Sequence, residues 1–142
     1  GGGGAAGNYD GDDQNLIAGR RAFDAGDWLG ATEDFAQAIE SGADNADTYN
    51  LLAYSYRRLG QLDLAFANYA RALELNPRHR GAHEYIGEAY LLVGNPTETA
   101  AHLSALKEIC GNCSEAMKLR KALKRYAQTA QSSMLLPDGE AW

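Results

Sequence analysis

Residues 48–77 read TYNLLAYSYRRLGQLDLAFANYARALELNP. Gly60 in this stretch has counterparts 34 residues away on either side, at Gly26 and Gly94. Small and aromatic residues recur at the same interval, in the pairs Ala31 and Ala65, Phe35 and Tyr69, and Ala38 and Ala72, and the third copy carries Thr99, Leu103 and Leu106 in these slots. A repeat of this length with these residue types predicts stacked helical hairpins.

The spacing of apolar residues within the second copy indicates two helices. Tyr49, Leu52, Ala53 and Tyr56 lie three or four residues apart, and after Gly60 the same periodicity continues from Leu64 to Leu73. Pro77 closes the copy, because proline disfavours helix in the residue before it. We therefore predict an all-α solenoid of three hairpins, over about residues 14–43, 44–77 and 78–113.

The two ends of the chain differ from the repeats. Residues 1–13 are rich in Gly and Asp, which predicts a disordered leader. Residues 114–131 predict a capping helix with Ser114 as N-cap and an apolar stripe along one side. Residues 132–142 form an apolar tail ending in Trp142, for which we expect docking on the solenoid or self-association with a second copy.

Composition limits the partners. The 142 residues carry a net charge of −6 and a pI near 5.0, which disfavours nucleic acid as a partner. Five cations crowd the predicted capping helix, and a solvated face is favoured there over a site for an anionic partner. These are Lys118, Arg120, Lys121, Lys124 and Arg125. No stretch approaches the roughly 20 apolar residues of a membrane helix, so we expect no membrane insertion.

The repeats resemble the tetratricopeptide repeat over about residues 14–111. The second copy fills the signature slots with Tyr49, Leu52, Ala53, Tyr56, Ala65, Tyr69, Ala72 and Pro77. The third copy departs from the signature at His83, Thr99 and Gly111, and the first at Asn15. More loosely, the segment from His79 to Leu91 resembles a group of small, exported bacterial members of this family. That second resemblance implies a periplasmic location and a bridge between Cys110 and Cys113, with the cytoplasm as the alternative location.

The resemblance also implies a function. In this family the first helices of successive hairpins line a concave groove that takes a peptide or a helix of a partner. Carried onto this chain, the residues expected to face the groove are Arg20, Asp24, Asn50, Tyr54, Arg57, Glu84 and Glu88. The lysine and asparagine clamp with which some members hold a C-terminal carboxylate is absent, because the third copy offers two glutamates there. The chain is therefore expected to be a scaffold for protein interactions, although it is not expected to read chaperone tails.

The two cysteines suggest a second interpretation. Cys110 and Cys113 flank Gly111 and Asn112 between two predicted helices, so a disulfide can form in an oxidising compartment. Free thiols, redox exchange and a soft-metal site remain as alternatives. The metal alternative is a copper or zinc site, and its predicted ligands are His79, His83, Cys110, Cys113 and Met117. His83 also fits a core histidine, since it occupies a slot where the family buries an aromatic residue.

The sequence contains no recognisable catalytic motif. We find neither a glycine-rich phosphate loop nor a nucleophile elbow, and Glu84 and Glu88 are read more simply as an acidic patch in the groove than as an acid and base pair. We therefore predict that the protein is not an enzyme and uses no cofactor. A chain that begins with Gly1 rather than Met fits either a processed exported protein or a trimmed one.

Overall fold

A computed structural model describes residues 13–135, and these residues form seven α-helices and no strand. The helices are α1 Gln14–Asp24, α2 Trp28–Glu40, α3 Ala46–Arg58, α4 Leu62–Leu75, α5 Arg80–Leu92, α6 Pro96–Cys110 and α7 Ser114–Leu135. They pair as three hairpins, α1 with α2, α3 with α4 and α5 with α6, and α7 packs on both helices of the third hairpin. The predicted all-α solenoid with a capping helix is confirmed.

The turns inside the hairpins depend on glycine. Gly26, Gly60 and Gly94 have φ values of 75°, 80° and 73°, a left-handed conformation that residues with a Cβ atom rarely adopt. Each follows the first helix of a hairpin and lets the chain reverse into the second. The spacing of 34 residues in the sequence therefore marks three equivalent turns.

Side chains at the helix starts satisfy free backbone N–H groups. The Asp13 carboxylate accepts hydrogen bonds from two backbone N–H groups at the start of α1, and Asn45 and Asn95 accept from the first turns of α3 and α6. His79 caps α5, since its Nδ1 accepts a hydrogen bond from the N–H of Ala82 at 2.9 Å. Asp13, Asn45 and His79 therefore mark where the three hairpins begin, and Asn95 marks the start of the second helix of the third.

The core consists of the repeating small and aromatic residues. Ala31, Ala65, Phe35, Tyr69, Ala38 and Ala72 are all fully buried, and so are Thr99 and Leu106 in the third hairpin. The Thr99 hydroxyl donates a 2.7 Å hydrogen bond to the carbonyl oxygen of Gly87, so a polar residue fits the slot that alanine occupies elsewhere. The predicted core slots are therefore confirmed in all three hairpins.

Two glycines allow helices to approach closely. A Cβ atom on Gly19 would lie 2.7 Å from the ring of Phe35, and a Cβ atom on Gly87 would lie 2.7 Å from the side chain of Leu119. The second contact seats α7 against α5, where Leu119 is completely buried. The attachment of the capping helix therefore depends on a residue without a side chain.

The ends of the chain differ from the prediction in one respect. Helix α7 continues to Leu135, past the predicted end at residue 131. Ser132 and Ser133 are only mildly unfavourable in a helix. No Gly or Pro lies between Ser114 and Pro137 to end the helix earlier. Of the predicted leader only Asp13 is described, and the tail beyond residue 135 lies outside the described residues. No helix within residues 13–135 is both long and apolar enough to cross a bilayer.

Candidate functional site: the concave groove

The first helices of the hairpins form one continuous surface. Helix α1 contacts α3, α3 contacts α5, and α5 contacts α7, whereas in the described part of the chain α2, α4 and α6 do not contact one another. Because the first helices are closer together than the second helices, the solenoid curves toward the side of the first helices. We call this surface, formed by α1, α3, α5 and α7, the concave groove.

Asn50 lies at the base of this groove with an unsatisfied carbonyl group. The residue is 5% exposed, and its Oδ1 atom has no hydrogen-bond partner. It lines a cleft of about 230 Å³ together with Arg20 from α1 and Asp47 and Leu51 from α3. No protein group donates to this acceptor, so its donor has to come from the cleft. A ligand that brings an N–H group into this cleft would satisfy it.

A larger cleft shares two lining residues with this one. Arg20 and Asp47 also line this second cleft, which has a volume of about 660 Å³ and reaches His79. The Asp47 carboxylate is 2.5 Å from Nε2 of His79, and the cap on α5 uses the other ring nitrogen, so both histidine nitrogens are engaged. Polar groups therefore surround the approach to Asn50.

Four aromatic rings form a cluster beside Asn50. Tyr54 is the central ring, with centroids 5.3 Å from Phe23, 5.6 Å from Trp28 and 4.6 Å from Tyr85. All four rings are half-buried, so each keeps part of its surface open. Half-buried rings at these distances offer a stacking surface for an apolar or aromatic side chain. We call these four residues the aromatic cluster.

Two arginines border the aromatic cluster. The Arg57 guanidinium lies 5.0 Å from the ring centroid of Tyr54 and forms an ion pair of 3.1 Å with Glu88 on α5. The guanidinium of Arg58 lies 4.8 Å from the ring centroid of Trp28. Contacts with aromatic rings restrain both side chains. The groove therefore presents its cations in fixed positions.

Glu84 forms the acidic part of the groove. The residue is only 7% exposed, and this burial, together with the charge of nearby Glu88, raises its pKa to about 7. Lys118 on α7 is close enough to oppose this shift, but it does not cancel it. A cationic group bound here would favour ionised Glu84, so the site is suited to a basic side chain.

The predicted groove residues occupy several different environments. Asn50, Tyr54 and Arg57 come together on α3, and Glu84 and Glu88 lie beside them on α5. Arg20 lines the clefts next to Asn50. Asp24 is an exposed residue at the end of α1. Four further residues belong to the groove but were not predicted from the sequence: Phe23, Trp28, Arg58 and Tyr85. Trp28 begins a second helix, whereas the predicted groove residues all lie on first helices. Its position two residues after Gly26 was the signal that could have placed it beside the groove.

The predicted metal ligands do not come together. His79 contacts Asp47, whereas Nε2 of His83 lies 2.7 Å from the carbonyl oxygen of Pro77 and its Nδ1 lies 3.0 Å from Nδ1 of His102. His83 is 8% exposed and hydrogen-bonded, as expected for a core histidine. Within residues 13–135, no group of three or more His, Cys, Asp or Glu side chains is placed to hold a metal ion. The alternative metal site is therefore not supported.

His102 pairs with His83, a contact that the sequence did not predict. Because Nε2 of His83 faces a carbonyl oxygen, it carries the hydrogen, and its Nδ1 accepts a hydrogen bond from Nδ1 of His102. Burial, with a smaller contribution from His83, lowers the pKa of His102 to about 4. His102 is therefore neutral in the folded protein near pH 7.

Comparison with known proteins identifies the repeat. The family model of the tetratricopeptide repeat matches residues 46–79, which are α3, α4 and the turn after them. Residues 46–79 are therefore similar in sequence to one tetratricopeptide repeat. Solved tetratricopeptide-repeat domains also share the fold of the whole solenoid, which confirms the resemblance proposed from the sequence. No curated protein matches the sequence.

Three solved structures illustrate the similarity. The TPR2B domain of yeast Sti1, in a pHsp70 complex, superposes with a TM-score of 0.74 at 20% identity, covering 82% of this chain and 95% of that one. The Arabidopsis OM64 TPR domain gives a TM-score of 0.74 at 19% identity, covering 84% and 98%. The first TPR of Spaghetti (RPAP3), bound to the HSP90 peptide SRMEEVD, gives 0.71 at 20% identity, covering 83% and 94%. At this level of identity the similarity concerns the fold.

Proposed function

We propose that this protein is an interaction module whose concave groove binds an extended peptide segment of a partner protein. The observation that carries the proposal is the unsatisfied Oδ1 atom of Asn50, which is buried at the base of a cleft between first helices. An extended peptide has a free backbone N–H group at every residue except proline, and one of these can donate to Asn50. The proposed role is binding and not catalysis.

The chemistry of the groove suggests which peptides fit. The aromatic cluster suits an apolar or aromatic side chain, and Glu84 with Glu88 suits a lysine or arginine. Two solved neighbours are complexes with chaperone-derived ligands, and the HSP90 peptide SRMEEVD in one of them is acidic at its C-terminal end. In this chain Glu84 and Glu88 would repel such an end. We therefore propose a ligand that is neutral or basic at this part of the groove.

Selection from a random peptide library tests this function without knowledge of the natural partner. Peptides would be selected on the protein and their affinities measured by fluorescence anisotropy. Asn50→Leu removes the amide while keeping the side-chain volume, so we expect an affinity loss of about 1–3 kcal/mol because the peptide N–H loses its acceptor. Since Oδ1 is unsatisfied in the free protein, we also expect unchanged or increased stability for this variant.

The matched control is Asn68→Leu. Asn68 lies on α4, outside the first helices, and its amide donates a hydrogen bond to the carbonyl oxygen of Leu64. This variant should bind the selected peptides as the wild type does. Equal affinities for wild type and Asn50→Leu would contradict the proposal, as would equal losses in both variants.

We further propose that the protein works in an oxidising compartment, such as the bacterial periplasm, with Cys110 bonded to Cys113. In support, the two Cα atoms are 5.5 Å apart, a separation that a disulfide can span. The intact mass of protein from its native host, with and without thiol alkylation, tests this proposal. A mass two hydrogens below the reduced mass, with no alkylation, is expected, and alkylation of both thiols would contradict it.

A further inference from the structure

Helix α7 occupies the place of the first helix of a fourth hairpin. Ser114, its first residue, follows Arg80, the first residue of α5, by 34 residues, and Arg80 follows Ala46, the first residue of α3, by the same interval. Like α5 on the second hairpin, α7 packs on the first and second helices of the hairpin before it. No second helix follows α7 within residues 13–135, and no other helix in that range packs on the face that would seat one.

The residues on that face differ in kind from their counterparts. In α3, the residues that share core clusters with α4 are Tyr49, Ala53 and Tyr56, which are aromatic or small. At the positions 68 residues later, α7 carries Met117, Lys121 and Lys124, and Arg120 lies beside them. One exposed apolar residue and two cations therefore replace the usual seat of a second helix.

This face forms a shallow cleft. Its volume is about 510 Å³, and it is lined by Ser114, Met117, Lys118, Arg120, Lys121 and Lys124. Met117 is 54% exposed, and the span from Met117 to Lys124 is two helical turns, about 10 Å. The cleft thus combines one exposed apolar side chain with several cations.

The charges on this face are nearly all of one sign. Among the described residues, none of its cations takes part in an ion pair, although Lys118 is close enough to Glu84 to act on its carboxyl group. The one acid of α7, Glu115, is half-buried on the side of Glu84. A capping helix needs a polar outer face for solubility, but charges of both signs would serve that need. A single sign of charge, on a chain of net charge −6, points to an anionic partner.

We propose that this face of α7 docks an acidic amphipathic helix of a partner protein, in the place that the second helix of a fourth hairpin would take. Carboxylates one to two turns apart on that helix would meet Arg120, Lys121 and Lys124, and an apolar side chain between them would cover Met117. Lysine at the slot of Ala53 and Gly87 prevents the close approach of an alanine-rich helix, and this favours long acidic side chains. This site is separate from the concave groove.

A pair of designed helical peptides tests the proposal. One carries Glu at positions i, i+3 and i+7 with a Leu between them, and the other carries Gln in place of each Glu. Binding to the full chain would be followed by fluorescence anisotropy at about 0.05 M and about 0.5 M salt, because screening weakens exposed ion pairs. We expect the Glu peptide to bind at least tenfold more tightly than the Gln peptide at low salt, and to lose most of this advantage at high salt.

Charge reversal locates the binding site. Lys121→Glu combined with Lys124→Glu should reduce affinity for the Glu peptide at least tenfold. The control, Arg80→Glu combined with Lys107→Glu, has the same net charge and changes exposed residues on α5 and α6, so it should reduce affinity much less. Met117→Gln should weaken both peptides by a similar factor, because it removes the apolar contact.

Several results would overturn the proposal. These are absence of binding to the Glu peptide, equal binding of the two peptides, or equal losses in the two charge-reversal variants. Tighter binding of single-stranded DNA or of vesicles containing phosphatidylserine than of the Glu peptide would assign the face to another class of anion. Circular dichroism of each variant verifies that the helices are intact.

Discussion

Replacing Glu84 with glutamine should stabilise the protein at neutral and alkaline pH, because the groove holds this carboxyl group in surroundings that disfavour its charge. Its pKa rises from 4.5 to about 7, first through burial and then through the charge of Glu88. At 1.36 kcal/mol per pKa unit, the upper limit of the destabilisation is about 3 kcal/mol. Because the carboxyl group of Glu84 keeps partial contact with solvent, we expect its ionisation to destabilise the fold by about 1–2 kcal/mol.

The direction of the pH dependence follows from proton binding. Between pH 4.5 and about 7 the folded state holds the Glu84 proton more tightly than the unfolded state does, so this group lowers stability as the pH rises through that window. Above pH 7 the loss is complete. The glutamine variant does not titrate, so its advantage over the wild type should be near zero at pH 4.5 and largest above pH 7.

Urea unfolding followed by circular dichroism, from about pH 4.5 to about pH 8, measures this difference. Glu33→Gln is the control, because Glu33 is an exposed residue of α2 and its replacement changes the net charge by the same amount. A constant difference in the free energy of unfolding between wild type and Glu84→Gln across this range would contradict the raised pKa of Glu84. An equal gain of stability in the Glu33→Gln control would contradict it as well.

Three further predictions concern other parts of the fold. Gly87→Ala should lower stability by about 1–3 kcal/mol in urea unfolding, because the new Cβ atom would lie 2.7 Å from Leu119; an unchanged midpoint would contradict the described packing of α7. His102→Asn should remove a loss of stability that the wild type shows as the pH falls from 6.5 to about 4, a window in which only the unfolded state binds the proton, and an identical pH profile would argue against the lowered pKa of His102. Cys110→Ser with Cys113→Ser should cost less than about 2 kcal/mol relative to the oxidised protein, since the proposed disulfide closes a very short loop; thermal unfolding measures this, and a larger loss would show that the cysteines do more than close that loop.

The architecture was predictable because it depends on features that repeat along the chain. A left-handed turn needs glycine, and close helix packing needs alanine in the facing slots, so Gly26, Gly60 and Gly94 and the buried alanines appear in the sequence at one interval. Thr99 in the third hairpin departs from the pattern, yet the fold keeps it by a hydrogen bond to the Gly87 carbonyl.

The site was only partly predictable, because its properties depend on contacts between helices. Asn50 could be placed on the groove face, but its burial and its unsatisfied oxygen depend on α1 and α5 as well as α3. Trp28 belongs to a second helix and still joins the aromatic cluster. His83 and His102 are 19 residues apart and meet only because α5 and α6 pack together. Periodicity within one helix cannot reveal such contacts.

The most direct test of the central claim is to map a selected peptide onto the protein by NMR. Amide chemical shifts of labelled protein would be recorded while the peptide is added. If the peptide binds in the concave groove, we expect the shifts to change mainly along α1, α3 and α5, around Asn50, Tyr54 and Glu84. We also expect Asn50→Leu to weaken these changes. Shift changes confined to α2, α4 and α6, or changes that Asn50→Leu leaves intact, would contradict it.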